Sequence, residues 1–174
     1  KSTEGSSHKD KNFDTDWKNS KKAGITTGAY HFMSFESPGV DQAKNYIKTV
    51  PKEKDSLPPV VDFEYYGKFE KNHPSQETVD KILKPLLKKL KDHYGKDPII
   101  YVNSNMYKKY ISGKYKNRIW LADLKAPKKL PDGRSWEFLQ YSFNSKLTKY
   151  AGGIPHLDLN VFRGSRFSFA AKYL

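Results

Sequence analysis

Apolar positions along this 174-residue chain follow two rhythms that alternate with each other. The first is helical. Val79, Ile82, Leu83, Leu86, Leu87 and Leu90 recur at steps of three and four, which places them on one face of a helix over 75–94. Ser75 supplies its N-cap and Gly95 its stop, and Pro85 inside it predicts a kink. Lys81, Lys84, Lys88 and Lys91 line the other faces. A basic amphipathic helix can lie on a membrane; a barrel helix with a solvated lysine face accounts for the same pattern more simply. Phe13 and Trp17, four apart, mark a helix over 12–23 that Gly24 ends. A third helix over 40–50 is closed by Pro51, a polar loop covers 52–56, and a short helix covers 106–111.

The second rhythm is strand-like. Short apolar runs at 28–33, 60–63, 98–102, 118–122, 136–142 and 157–161 fall between the helical segments. Strand–helix alternation argues for an α/β fold with a largely parallel sheet. There is no internal repeat and no low-complexity linker, so no internal domain boundary is drawn.

The stretch Leu57-Pro58-Pro59-Val60-Val61-Asp62-Phe63-Glu64 carries the chemistry. Two prolines stop what precedes them, and an apolar strand then ends in Asp-x-Glu. Side chains alternate along a strand, so Asp62 and Glu64 point the same way, their Cα atoms roughly 6.5–7 Å apart. Such pairs also arise on solvated strand edges. This run reads as a buried parallel strand, and catalytic groups of α/β barrels gather at the C-terminal ends of such strands. Two carboxylates that close resist ionising together, so one can keep its proton near neutral pH while the other is an anion. Glycoside hydrolysis uses that division of labour.

Composition narrows the alternatives. The absence of cysteine excludes disulfides and thiolate metal sites. His31, inside a Tyr-His-Phe strand, reads as a packed or hydrogen-bonded histidine. His8, His73, His93 and His156 are dispersed without metal-ligand spacing, and no serine-nucleophile elbow is present. Glu4, next to Gly5, reads as structural. The net charge of +13 calls for an anionic partner, whether nucleic acid, membrane or wall polymer. Lysine carries most of it, whereas bidentate phosphate or base readout favours arginine. With no zinc-finger spacing, phosphate-cradling loop or RNA-binding aromatic signature, the charge fits diffuse adsorption and no specific nucleic acid. No apolar run reaches the roughly 18 residues that a transmembrane helix needs. Aromatics make up 14% of the chain, which suits stacking on sugar faces as well as core packing.

Lys1-Ser2-Thr3-Glu4-Gly5, Gly28-Ala29-Tyr30-His31-Phe32 and Pro59-Val60-Val61-Asp62-Phe63-Glu64 together resemble the family 25 glycoside hydrolases, the lysozyme-like muramidases of bacteria and their phages. Later blocks agree in order and spacing: Pro98-Ile99-Ile100-Tyr101, Ile119-Trp120-Leu121-Ala122, Trp136-Glu137-Phe138-Leu139-Gln140-Tyr141-Ser142 and Leu157-Asp158-Leu159-Asn160. The resemblance spans nearly the whole chain. It implies an irregular, flattened, TIM-like β/α barrel with its site at the C-terminal strand ends. It implies cleavage of the β-1,4 bond between N-acetylmuramic acid and N-acetylglucosamine in peptidoglycan, with no metal and no organic cofactor. By the same resemblance Glu64 is the general acid. Asp62 stabilises positive charge at the anomeric centre or holds the substrate's acetamido group. Asp158 is a later active-site acid, and Lys1, Phe32, Tyr101 and Trp120 support the site. A 2-acetamido sugar can use its own carbonyl oxygen as nucleophile. That route and direct attack by a carboxylate both stay open at this level.

Members of that family begin with a strand bearing a Gly-x-Asp-x-Ser-like motif, then a helix, then a strand that ends in the lysine block. This chain starts at the lysine block, with Lys in place of Met and no visible signal peptide. The expectation is one domain over 1–174 whose barrel lacks its first strand or strands and stays open on one side. The tail at 162–174 is a candidate cover through Phe162, Phe167, Phe169 and Tyr173. The expected location is extracellular or at the cell wall, with glycan strands as partner and anionic wall polymers held by diffuse charge. Two rivals stand beside this: a weak or inactive glycan-binding remnant, and a basic protein that disrupts membranes or binds nucleic acid.

Overall fold

A computed structural model describes residues 1–145 and 157–174; His156 lies outside the described residues. The strands are β1 (Thr3–Glu4), β2 (His8–Lys9), β3 (Tyr30–Phe32), β4 (Val60–Asp62), β5 (Ile99–Asn103), β6 (Ile119–Ala122), β7 (Phe138–Ser145) and β8 (Leu157–Phe162). The helices are α1 (Phe13–Lys22), α2 (Gly39–Thr49), α3 (Gln76–Tyr94), α4 (Ser104–Met106), which runs on into a π-helical turn over Tyr107–Ile111, and α5 (Arg166–Tyr173). The strands form one sheet in the order β2-β1-β3-β4-β5-β6-β7-β8. From β1 through β3 to β7 every neighbouring pair is parallel. The sheet is antiparallel only at its two margins, β1–β2 and β7–β8. The largely parallel α/β sheet is as expected, and the antiparallel margins are an addition to it. Among the described residues no ladder joins β2 to β8.

Strand alternation sorts the sheet into two faces. Val61, Phe63, Ile100, Val102 and Leu121 pack into the main core with the helices. All six periodic apolar residues of α3 are buried there, each contributing roughly 1.5–3 kcal/mol. Ser75 caps α3 by accepting from Thr78 N, and Pro85 sits inside the helix without ending it. Gly39 lets α2 lie close against α3: a Cβ there would fall 1.8 Å from the Ile82 carbonyl oxygen.

The other face carries Tyr30, Val60, Ile99, Tyr101, Trp120, Phe138 and Phe162, gathered with Phe169 and Tyr173 of α5. The tail does fold back onto the sheet. Tyr173 is buried, 5.8 Å from the Phe138 ring, and its hydroxyl donates to Glu137. Phe167 is the exception among the tail's aromatics, 89% exposed on the outer side of α5. An eight-residue helix has one inward stripe, and Phe169 and Tyr173, four apart, occupy it. The contacts of α5 fall near the first residues of β4 to β7, which leaves the opposite end of this face to the carboxylates.

Candidate active site

The acid-bearing strand starts where Pro58 and Pro59 end. Val60 N–H donates to Ala29 O at 3.2 Å, and the Pro59 carbonyl accepts from Ile99 N at 2.9 Å. The ladder continues past Asp62, since Phe63 N–H donates to Tyr101 O at 2.9 Å. This extended path returns Glu64 to the face that Asp62 occupies. Parallel register aligns Phe32, Asp62, Tyr101 and Trp120 across β3 to β6. Because β8 runs antiparallel to β7, with Asn160 opposite Gln140, its first residues lie at the C-terminal ends of the parallel strands. Asp158 thereby meets a pair nearly a hundred positions earlier in the chain.

These elements surround a cleft of about 430 Å³. Lys1, Phe32, Asp62, Glu64, Tyr101, Trp120 and Asp158, all singled out from sequence, line it together. Tyr30, Val60, Gln140 and Asn160 line it as well and were not singled out. The signals were there: Tyr30 and Phe32 share a strand face, as do Asp158 and Asn160, and Gln140 is a lone amide in an apolar run. Trp120 Nε1–H donates to Asn160 Oδ1 at 2.9 Å, and the Tyr101 and Trp120 rings meet at 90°, 5.5 Å apart. Lys1 Nζ sits 2.5 Å from Glu4 and 5.2 Å from the centre of the Phe32 ring. An apolar hollow of about 400 Å³ adjoins the cleft, sharing Tyr30, Val60, Trp120 and Asn160 with it.

Both carboxyls of the pair are held above their ordinary range. Burial, then the charge of Glu64, pushes Asp62 up to about 8, against an opposing pull from Lys1. Glu64 is also held above the usual carboxylate range, by burial first and by Asp158 second. Both carboxyls therefore hold a proton to higher pH than an ordinary Asp or Glu, with burial the first cause in each. Its Oδ1 is buried and has no hydrogen-bond partner. Tyr30 is raised to about 12 by burial and by Asp62.

His31 stands apart from this chemistry. It is fully buried in the strand layer. Gln42 Nε2 donates to the carbonyls of Ser34 and Ser37, both at 2.7 Å, which fixes the amide so that its Oε1 faces the ring. His31 Nε2 then donates to Gln42 Oε1 at 2.9 Å, and Nδ1 accepts from the Thr3 hydroxyl at 2.7 Å. Burial pushes its pKa down to about 4. The ring is a neutral clasp between β1, β3 and α2. Among the described residues no cluster of three or more His, Asp or Glu is arranged to hold a metal ion, and no helix is long and apolar enough to cross a membrane.

The sequence profile of glycosyl hydrolases family 25 matches residues 1–149. A solved family 25 glycosyl hydrolase from Bacillus anthracis is 40% identical and superposes with a TM-score of 0.92, over 99% of this chain and 80% of that one. The uncharacterised protein YegX of Escherichia coli (strain K12) is 31% identical over 167 residues. Lysozyme M1 of Streptomyces globisporus is 28% identical over 178 residues. Both alignments take in 95% of this chain, which spans 58% and 59% of those two relatives' lengths.

Proposed function

Because this chain belongs to glycosyl hydrolases family 25, we propose that it cleaves the β-1,4 bond between N-acetylmuramic acid and N-acetylglucosamine in peptidoglycan, acting as one catalytic domain over 1–174. The observation that carries this is the convergence of Asp62, Glu64 and Asp158 on one cleft walled by Phe32, Tyr101 and Trp120. Aromatic faces suit sugar rings, and carboxylates suit a transition state with positive charge at the anomeric carbon.

Glu64 is the general acid. It gives its proton to the glycosidic oxygen as the bond from that oxygen to the anomeric carbon breaks. Later, as a carboxylate, it takes a proton from the incoming water. Its raised pKa keeps a larger fraction protonated near neutral pH than an ordinary glutamate would. Asp62 orients the acetamido group, whose own carbonyl oxygen attacks the anomeric carbon. Two features favour this over direct attack by Asp62. A carboxyl that titrates at about 8 is protonated at neutral pH and is then a poor nucleophile. Its buried, unpartnered Oδ1 can accept the acetamido N–H. Asp158 adds negative charge on the opposite side of the cleft, and Asn160 holds the Trp120 indole.

The site of action in this reading is the cell wall, outside the membrane. The excess of lysine draws the protein to anionic wall polymers, so raising salt to about 0.5 M, where the Debye length is a few Å, should weaken adsorption to walls far more than cleavage of a soluble muropeptide. Digestion of purified peptidoglycan, followed by borohydride reduction and mass spectrometry, tests the bond assignment. New reducing ends on muramic acid are expected. Reducing ends on glucosamine would contradict the assignment, and retention on the glycan without turnover would replace hydrolysis with the glycan-binding role.

A further inference from the structure

A second hollow, of about 310 Å³, lies beside the catalytic cleft at the ends of β1 and β3. Nothing in the chemistry above uses it. Two contacts make the wall between them. Phe32 lines the cleft and Tyr66 lines the hollow, and their rings meet edge-to-face at 5.6 Å. Lys1 lines the cleft and Glu4 lines the hollow, joined by their ion pair. The two spaces are thus one side-chain pair apart, on the same end of the sheet.

The hollow is built and not merely left over. Asn45 Nδ2 donates to the carbonyls of Gly5 and His8, both at 3.0 Å, and pins the turn that forms one wall to α2. Gly5 holds that turn with a φ of 52°, a left-handed conformation in which a side chain is strained. The Tyr66 hydroxyl is fixed by Ser34 Oγ and by Phe35 N, each at 2.9 Å. Ser37 Oγ, on the facing wall, is buried and has no hydrogen-bond partner. A buried hydroxyl left unpaired is unfavourable, and a ligand group that pairs with it removes that penalty.

The charge of the lining decides the ligand class. Its two carboxylates are already neutralised, Glu4 by Lys1 and Glu36 by Lys68 at 2.6 Å. What remains on offer is hydroxyls, backbone groups and the exposed His8 imidazole. Resting on the hydrolase reading above, we propose that this hollow is an accessory subsite for an uncharged, amide- or hydroxyl-bearing part of the peptidoglycan chain beyond the scissile bond. Two parts have that chemistry: a further sugar of the glycan, and the first peptide amides of the stem attached to muramic acid.

The test uses Ser37→Ala, which removes the unpartnered hydroxyl, and Ser7→Trp, which fills the hollow from an exposed turn. Neither residue lines the catalytic cleft. Turnover is measured on a long peptide-free glycan and on a peptide-bearing one, with thermal melting as a check on folding. Each variant should lose about tenfold in kcat/KM through KM, with kcat held, as the loss of one or two hydrogen bonds implies. Loss on both substrates assigns the hollow to a sugar, and loss on the peptide-bearing substrate alone assigns it to stem amides. Unchanged KM on both, with active wild type, overturns the subsite and leaves the hydrolase reading intact. If the wild type cleaves neither substrate, the hydrolase reading fails by itself. Calorimetric binding of muramyl dipeptide and of a peptide-free chitooligosaccharide to wild type and Ser7→Trp then decides the subsite: weaker binding of either ligand by the variant supports it, and equal binding of both overturns it.

Discussion

Asparagine in place of Asp62 should make this protein more stable at neutral pH while impairing catalysis. The Asp62 carboxyl titrates at about 8 in the folded chain, against an ordinary 3.8. Between those values the folded state holds a proton that the unfolded state has released. A carboxyl with a raised pKa stabilises the fold fully only below its unfolded value, and the contribution is lost as pH rises through the folded one. At about 1.4 kcal/mol per pH unit, the loss between 3.8 and neutrality is on the order of 4 kcal/mol. Solvent reaches part of this side chain at the cleft, which makes that figure an upper bound. Asparagine keeps the shape and does not titrate, so it avoids the loss. The assay is urea unfolding of wild type and Asp62→Asn at pH 4, 5, 6 and 7. The stability difference should grow in favour of the variant as pH rises, with a slope approaching 1.4 kcal/mol per pH unit. A difference that stays flat across this range would refute the argument that burial and Glu64 hold a proton on Asp62.

Two further outcomes follow from the same electrostatics. Asp158→Asn removes a charge that raises Glu64, so the alkaline limb of the pH–rate profile should move to lower pH; an unmoved limb would detach Asp158 from the acid. His31 titrates at about 4 when folded against 6.5 when free, so its contribution is full above 6.5 and is lost as pH falls toward 4, on the order of 3 kcal/mol in all. Denaturation of wild type and His31→Asn between pH 7 and 4 should show their stability gap closing with acid, and a constant gap would contradict a buried neutral ring.

Periodicity makes much of this molecule legible in its sequence. The six buried residues of α3 stand out because a helix repeats its face every three to four positions. Asp62 and Glu64 stand out because a strand repeats every two. Periodicity fails where elements are too short to repeat. The two-residue strands β1 and β2 carry no alternation; β1 shows only through its lysine block, and β2 with its antiparallel pairing left no trace. Pairing direction is equally silent, since β7 and β8 read alike whether parallel or antiparallel. Phe167 looks like its neighbours in composition, and only the single inward stripe of α5 separates it from Phe169 and Tyr173. Burial is the first cause of the raised pKa of both Asp62 and Glu64, and desolvation is a property of the folded surroundings that no spacing encodes. Ser37 is silent for the same reason, because an unpartnered hydroxyl exists only once the walls of its hollow are in place.

In the proposed reaction Glu64 donates the proton that cleaves the glycan. Its most direct test is the turnover of purified peptidoglycan by Glu64→Gln beside wild type, with binding to the same glycan measured in parallel. Removal of a general acid typically lowers the rate by about 10²–10⁴-fold. A loss of that size with glycan binding retained is expected, and near-wild-type turnover by Glu64→Gln would contradict the role of Glu64 as the acid.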